Sequence, residues 1–191
     1  LLTIPPISEN RLPRSILSYL KYGEELGVPK RFKCRVREPW YSVPHIRMAD
    51  AFLSYMSGRS PRLVRNRCNL VAPNTLHLVR FDKTKRADTF LGGWYSSLTR
   101  LSCELEGHAL GGGMLKLEPS EAERVLIPLP WPREETRVVG KLDTLIRRMA
   151  EEAAADFVDD HVLRRRLGLS ATECAVLRDA AGEMHKWRMH K

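Results

Sequence analysis

Residues 111–121, Gly-Gly-Gly-Met-Leu-Lys-Leu-Glu-Pro-Ser-Glu, combine a glycine turn, a short strand and the start of a helix. Three successive glycines permit backbone conformations that other residues avoid, and Met114–Leu117 then predicts a short strand. Glu118–Glu121 predicts the opening of a helix that ends near Ile127. A turn, a strand and a helix in such close succession indicate a mixed α+β fold.

The chain before this stretch predicts further short elements. Between about residues 38 and 81, apolar bursts separated by Pro and Asn are typical of short strands joined by loops. Residues 88–105 repeat apolar side chains near helical spacing and predict a helix, in which Gly92-Gly93 permits a close backbone approach. A short helix is predicted between Pro13 and Gly27. The three apolar bursts are Phe52–Met56, Leu63–Val64 and Leu76–Phe81.

The chain after this stretch changes in composition. Pro128, Pro130 and Pro132 predict a stiff linker, and residues 134–190 contain no Pro. Three amphipathic helices are predicted there, the last of them opened by a capping box at Ser170–Glu173. A helix-turn-helix at residues 163–177 is an alternative to a plain helical hairpin. We therefore predict a mixed short-strand domain at residues 1–132 and a helical segment at residues 133–191.

The net charge of +9 comes from one part of the chain. Residues 11–67 hold 13 Lys and Arg against 4 acidic residues. Clustered cations displace counterions from phosphates and so predict a polyanionic partner; a solvated basic surface is the alternative. Within this region, residues 31–37 alternate between cationic and apolar side chains and predict a basic strand, or an edge strand that uses charge to avoid pairing.

Composition excludes several classes of protein. An apolar fraction of 43% is too high for a disordered tail. The sequence contains no run of about 18 apolar residues, so no membrane span is predicted. Because the chain begins with Leu1, not Met, we expect it to be part of a longer protein. No charged and apolar leader pattern occurs in the sequence, and no two cysteines have the spacing of zinc ligands. We therefore expect buried, reduced thiols and a cytoplasmic location.

Catalytic signatures are absent from the sequence. We find no nucleophile elbow, Walker loop or HExxH motif, and this chain alone is expected to catalyse nothing. The acid pairs Glu104/Glu106 and Asp159/Asp160 are interpreted as solvated. No role is expected for His185 and His190.

Several short pieces of the sequence follow one another in order between about residues 15 and 130. They are Tyr19–Val28, Cys34–Pro44, Pro61–Asn66 with Asn74–His77, Ser96–Leu101 with Glu104 and Gly107, and Gly111–Glu121 with Ile127-Pro128. Together they resemble the specificity region of gamma-class DNA adenine-N6 methyltransferases from bacterial restriction–modification systems.

The resemblance implies a C-terminal target-recognition portion whose catalytic half lies upstream. In that family the catalytic domain binds S-adenosyl-L-methionine (AdoMet) and carries an Asn/Asp-Pro-Pro-Tyr/Phe motif. Ile4–Ile7 keeps the two prolines but lacks the polar first residue and the aromatic last one. No catalytic residue and no cofactor are therefore assigned to this chain. The resemblance implies two partners, double-stranded DNA and the catalytic domain of the same protein. No membrane is expected as a partner.

Candidate DNA contacts follow from side-chain chemistry. Cations and glycine amides suit phosphates, Asn suits adenine and Arg suits guanine. Trp40 and Tyr41 could stack on exposed bases or pack in the core. A protein-interaction module and an RNA-binding protein remain alternatives. The phosphate candidates are Lys33, Arg35, Arg37, Arg59, Arg62, Arg65, Lys116 and the amides of Gly111, Gly112 and Gly113. The base-edge candidates are Asn66, Asn69, Asn74 and Arg80.

Overall fold

A computed structural model of the chain describes residues 3–43, 46–82, 87–129 and 135–190. The chain forms two compact units, Leu1–Arg47 (the first unit) and Met48–Lys191 (the second unit). Helices and two small antiparallel sheets make up the structure, which confirms the predicted α+β class. No helix in the described ranges is long and apolar enough to cross a membrane.

The first unit is built around the predicted short helix, α1 (Arg14–Glu25). The helix begins directly after Pro13, and the chain turns away at Gly27, whose φ of 68° lies in the left-handed region. Its inner face packs a small apolar cluster. The buried members are Ile4, Leu12, Leu20 and Tyr41, with Ile16, Leu17 and Trp40 packed around them.

The predicted basic strand at residues 31–37 is wrong. A single helical turn, α2 (Phe32–Arg35), occupies this segment, and Phe32 and Val36 are 66% and 67% exposed. A strand needs a neighbour to pair its backbone groups, and the described part of the first unit contains no strand. The helical turn meets this need locally, because the amides of Cys34 and Arg35 both donate to the carbonyl of Arg31.

The second unit contains six short strands in its described part. Four of them confirm the predicted strand-and-loop region, one confirms the strand after the glycine turn, and the strand at His108–Leu110, just before that turn, was not predicted. They form two three-stranded antiparallel sheets, ordered β3-β1-β4 and β2-β6-β5. Apolar side chains of β1, β3 and β6 enter the main core of the unit. The strands are β1 (Ala51–Ser54), β2 (Met56–Ser57), β3 (Leu63–Arg65), β4 (Leu76–Val79), β5 (His108–Leu110) and β6 (Met114–Lys116).

The helix predicted at residues 88–105 is two helices, α3 (Ala87–Trp94) and α4 (Ser97–Glu106). The break has a local cause, because the side chain of Ser96 accepts a hydrogen bond from the amide of Thr99 and caps α4. The close approach expected at Gly92-Gly93 is confirmed at Gly93, where a Cβ would collide with the carbonyl of Pro128. The next helix, α5 (Pro119–Ala122), is one turn long and ends before the predicted Ile127.

The C-terminal helices belong to the second unit. They are α6 (Glu135–Arg147), α7 (Glu151–Val158), which continues as a π-helical turn at Asp159–Arg164, and α8 (Ala171–Met189). The predicted capping box at Ser170 and Glu173 opens α8. Helix α6 packs on α3, and α8 packs on α4. Pro130 and Pro132 of the predicted linker lie outside the described residues, and the division at residue 132 stays a prediction.

The cysteines differ in their exposure. Cys103 and Cys174 are buried, as expected, and burial raises the pKa of the Cys103 thiol to about 12. Cys34 is half-buried, and Cys68 is exposed in the loop that follows β3. The expectation of four buried thiols is therefore wrong for Cys68, which stands in a loop between the exposed polar residues Arg67 and Asn69.

Candidate nucleic-acid interface

The cations of α2 are phosphate candidates that face solvent. Lys33 and Arg35 are exposed, and the charged group of each lies 6.0 Å from the centre of the Phe32 ring. Arg37, just after α2, donates to the carbonyl of Ser42 at 3.3 Å. Within residues 3–43, none of these three cations forms an ion pair with an acidic side chain. Their charge is available to a partner.

The aromatic pair that follows α2 packs inside the first unit. Tyr41 is buried, and its hydroxyl donates to the carbonyl of Ile7 at 2.5 Å. Burial, with a smaller contribution from Glu9, raises the pKa of this phenol. Trp40 is half-buried beside Tyr41, with the two ring centres 5.7 Å apart. These positions favour the core-packing interpretation over base stacking.

Arg62 and Arg65 are bound to acidic side chains of the second unit. Arg62 Nη2 lies 2.8 Å from Glu151 Oε1, and Arg65 Nη1 lies 2.5 Å from Asp88 Oδ1. Both acids are largely buried, so these arginines compensate charge that the fold has taken out of water. Contact with a phosphate would have to compete with these pairs.

Asn66 also has its hydrogen bonds within the fold. Its side-chain amide donates to the carbonyls of Ala49 and Leu70, and its side-chain oxygen accepts from the amide of Leu70. This pattern closes the loop after β3. It is the turn-stabilising role that loop asparagines commonly have.

The other candidates in the loops of the second unit face solvent. Arg59 lies after β2, Asn74 just before β4 and Arg80 just after it, and all three are exposed. Asn69 is exposed as well, in a left-handed conformation with φ of 51°. No acid among the described residues pairs with Arg59 or Arg80. None of these four side chains forms a hydrogen bond or ion pair with the described residues, so their polar groups can meet a ligand.

The glycine turn is exposed at one end and buried at the other. Gly111 and Gly112 face solvent, whereas Gly113 is buried and its carbonyl accepts from Arg188. Gly112 and Gly113 have φ of 72° and 71°, which explains why glycine stands here. Pairing of β2 with β6, Ser57 opposite Leu115, brings this turn close to the one that carries Arg59.

Lys116, on β6, is held by its neighbours. Its Nζ lies 2.5 Å from Glu118 Oε1 and 5.1 Å from the centre of the Tyr55 ring. Hydrogen bonds with Glu118 and then Tyr55 raise the pKa of this lysine, and the lysine in turn lowers the pKa of Glu118. Like Arg62 and Arg65, Lys116 has its charge balanced within the second unit.

Two acids and a histidine that were interpreted as solvated or without a role are structural. Glu104 is paired with Arg188, and His185 Nδ1 lies 2.7 Å from Nη2 of the same arginine. Buried Asp159 accepts from both the amide and the hydroxyl of Ser97, at 2.8 and 2.6 Å. The interpretation of the acids was wrong because Arg188 lies 84 residues from Glu104, and Ser97 lies 62 residues from Asp159. No local sequence pattern reveals partners at such separations.

Metal and cofactor sites require particular sets of ligands. In the part of the chain that the structure describes, no group of three His, Cys, Asp or Glu side chains could hold a metal ion. An AdoMet cradle does not fit the described residues either, because both sheets are antiparallel and the glycine turn joins β5 to β6. A nucleotide-binding glycine loop instead follows a buried parallel strand.

Comparison with known proteins places this fold among C-terminal domains of restriction–modification methyltransferases. Residues 1–163 match the model of the family "Type II methyltransferase M.Eco57I, C-terminal domain", and the chain belongs to this family. The resemblance identified in the sequence is thereby confirmed for the methyltransferase class and the C-terminal position.

Two curated relatives agree with this assignment. The chain is 24% identical over 121 residues to the type II methyltransferase M.AccI of Acinetobacter calcoaceticus. It is 27% identical over 115 residues to the type II methyltransferase M.XamI of Xanthomonas campestris pv. amaranthicola. The matches cover 61% and 60% of this chain but only 22% of each relative. No solved structure matches the chain significantly.

Proposed function

We propose that this chain is the DNA target-recognition domain of a site-specific adenine-N6 methyltransferase. It holds the duplex while an upstream catalytic domain of the same protein transfers a methyl group from AdoMet. An enzyme that modifies a base must take that base out of the stack, so another part of the protein has to fix the duplex. Membership in a family of methyltransferase C-terminal domains supports this division of labour.

The unpaired cations of the first unit carry the proposal. This unit holds nine Lys and Arg against four acids, and none of its described cations forms an ion pair. Unpaired cations near one another repel, and a polyanion relieves that repulsion while releasing counterions. Double-stranded DNA supplies such a charge density. Four free cysteines and a genomic target also support a cytoplasmic location.

The candidates divide into those whose polar groups are free and those bound within the fold. Lys33, Arg35 and Arg59 are proposed as the principal phosphate contacts because they are exposed and unpaired among the described residues. Asn69, Asn74 and Arg80 are proposed to read base edges, since each projects from a loop. The role of the remaining three cations is primarily structural, because each pairs with an acid of the second unit: Arg62, Arg65 and Lys116.

A salt titration tests duplex binding. Anisotropy of a fluorescein-labelled mixed-sequence duplex is measured with the 191-residue chain at several salt concentrations. If six phosphates are engaged, log K falls with log salt at a slope of about −5, because each contact contributes roughly −0.9. A response that does not depend on salt would overturn the phosphate assignment.

The adenine assignment needs a separate test. Single-molecule sequencing of the host genome, with and without the gene for the parent protein, shows which base is modified. N6-methyladenine at one recurrent site that disappears with the gene supports the proposal. A recurrent methylcytosine that disappears instead would overturn the adenine part and leave duplex binding untouched.

A protein-interaction module remains the second candidate because of one apolar surface. Tyr19 and Tyr22 lie on one side of α1, Leu26 follows directly after the helix, and the three are 58%, 57% and 55% exposed. Light scattering that shows a dimer, together with absence of duplex binding, would favour this candidate. The RNA-binding alternative has lost its main support, because Tyr41 is buried and Trp40 packs beside it.

A further inference from the structure

Arg188 lies near the end of α8 and is almost completely buried. Its side chain is 2% exposed and that of its partner Glu104, on α4, is 9% exposed. The pairing is a double one, with Nε 2.9 Å from Oε2 and Nη2 2.8 Å from Oε1. A two-bond pairing of this kind fixes the plane of the guanidinium group.

The remaining N–H groups of Arg188 reach two separate turns. Nη1 donates to the carbonyl of Gly113 and lies 3.5 Å from that of Gly58, while Nη2 lies 3.5 Å from that of Arg59. The neighbouring Met189 packs where a side chain on Gly113 would stand. One side chain therefore connects the end of α8 to the turn after β2 and to the glycine turn.

Both turns face solvent. Arg59 is exposed and makes no ion pair with any acid in the described ranges, and Gly111 and Gly112 are exposed in the neighbouring turn, which the β2–β6 pair and the shared contact of Arg188 with Gly113 and Arg59 bring close. A cation next to a turn of glycine amides is a combination that suits a phosphate. The carbonyls of the same turns point inward, to Arg188, which sets the orientation of the backbone.

We propose that Arg188 is a positioning residue for DNA binding, which holds Arg59 and the glycine turn in register for neighbouring phosphates. The inference rests on the proposed duplex binding but extends it to a helix outside the family domain, since the family match ends at residue 163. Arg188 does not touch DNA in this proposal. It acts through the two turns.

The test variant removes the clamp without leaving a buried charge. Removing Arg188 alone would leave the buried Glu104 without its two-bond partner, with only His185 Nδ1 3.7 Å from its Oε1. Loss of one partner of a buried pair destabilises a fold strongly, whereas replacing both partners by apolar residues is often tolerated. The variant is therefore Glu104→Met with Arg188→Met. The matched control is Glu183→Met with Lys186→Met. These two residues form an exposed ion pair on α8, with Nζ 2.6 Å from Oε1, and the control removes one positive and one negative charge, as the test variant does.

Two measurements on the 191-residue chain are compared between these variants. Amide hydrogen exchange in residues 58–60 and 111–114 is expected to accelerate in the test variant and not in the control. Affinity for the mixed-sequence duplex falls roughly tenfold near 0.1 M salt, and the salt slope becomes shallower by about 1, the share of one phosphate contact. Unchanged exchange together with unchanged affinity would overturn the proposal.

A double-mutant cycle separates positioning from a general structural effect. Arg59→Gln should weaken duplex binding in the wild-type background and have little further effect in the Glu104→Met, Arg188→Met background. A full Arg59→Gln effect in both backgrounds would contradict the inference. If the wild-type chain binds no duplex, the proposed function fails instead, and hydrogen exchange alone still decides whether Arg188 holds the two turns.

Discussion

The two units use their charged residues differently. The first unit has nine Lys and Arg against four acids, and the second has 23 against 19. In the described part of the first unit no cation is ion-paired, whereas in the second unit several arginines bind acids that the fold has buried. The basic segment at residues 11–67 extends across both units. The net charge of this segment is larger than the charge available to a partner, because Arg62 and Arg65 are paired with acids of the second unit.

Packing differs between the units as well. The first unit has one small apolar cluster and leaves Phe32 and Val36 exposed. The second unit has two larger clusters, and its helix α3 lies so close to the loop at Pro128 that only a glycine at position 93 fits. Replacing a packed glycine by alanine should therefore change the free energy of unfolding much more in the second unit than in the first.

Gly93→Ala should have the largest effect. A Cβ there would collide with the carbonyl of Pro128, which is backbone and cannot rotate away. We expect a loss of about 3 kcal/mol in the free energy of unfolding and a Tm lower by about 6–12 °C. Calorimetry measures both. The control is Gly140→Ala in α6, where nothing lies within 4 Å of an added Cβ; an equal loss there would contradict the steric explanation.

Elements with local causes could be predicted from the sequence. The start of α1 after Pro13, the turn at Gly27, the capping box of α8 and the close approach at Gly93 each depend on a residue with an unusual backbone or hydrogen-bonding property. The α+β class followed from the same signals. The methyltransferase class followed from the order of short motifs.

Features that depend on distant partners could not be predicted. Alternation at residues 31–37 is a property of strands, but a strand forms only where another strand is available to pair with it. Whether a candidate cation can bind a partner likewise depends on whether an acid far along the chain already pairs with it. Arg62, for example, pairs with Glu151, which lies 89 residues away. Composition identified the cationic segment, and tertiary structure decides which of its members are free.

Arg35→Ala with Arg37→Ala tests the free charge of the first unit. If both contact phosphates, affinity for every duplex should fall about fiftyfold near 0.1 M salt, and the salt slope should become shallower by about 2. The free energy of unfolding should fall by no more than about 1 kcal/mol, because neither side chain is ion-paired within residues 3–43 and only the 3.3 Å hydrogen bond from Arg37 to the carbonyl of Ser42 is lost. Anisotropy and urea unfolding provide the two measurements.

The control for this pair is Arg164→Ala with Arg165→Ala, which removes the same charge from the second unit. Both arginines bind Asp160, at 3.0 and 2.6 Å, so their loss should change duplex affinity far less. An equal fall in both variants would show that binding follows net charge alone. Unchanged affinity in the first variant would show that Arg35 and Arg37 only solvate the surface.

Gly23→Ala, in α1, should have the smallest effect. An added Cβ would lie 3.0 Å from Cη2 of Trp40, a half-buried ring at the edge of the cluster that can shift by a few tenths of an ångström. The gain in helix propensity, about 1 kcal/mol, offsets the cost of moving the ring. The free energy of unfolding should therefore change by less than about 0.5 kcal/mol.

Fluorine NMR of 5-fluorotryptophan-labelled protein reports the movement of Trp40 directly, and urea unfolding reports stability. A loss as large as that of Gly93→Ala would show that the first unit is packed as tightly as the second. The same variant tests the interpretation of Trp40. A displaced ring with unchanged duplex affinity means that Trp40 packs the core, whereas weakened binding of folded protein would mean that the ring contacts DNA.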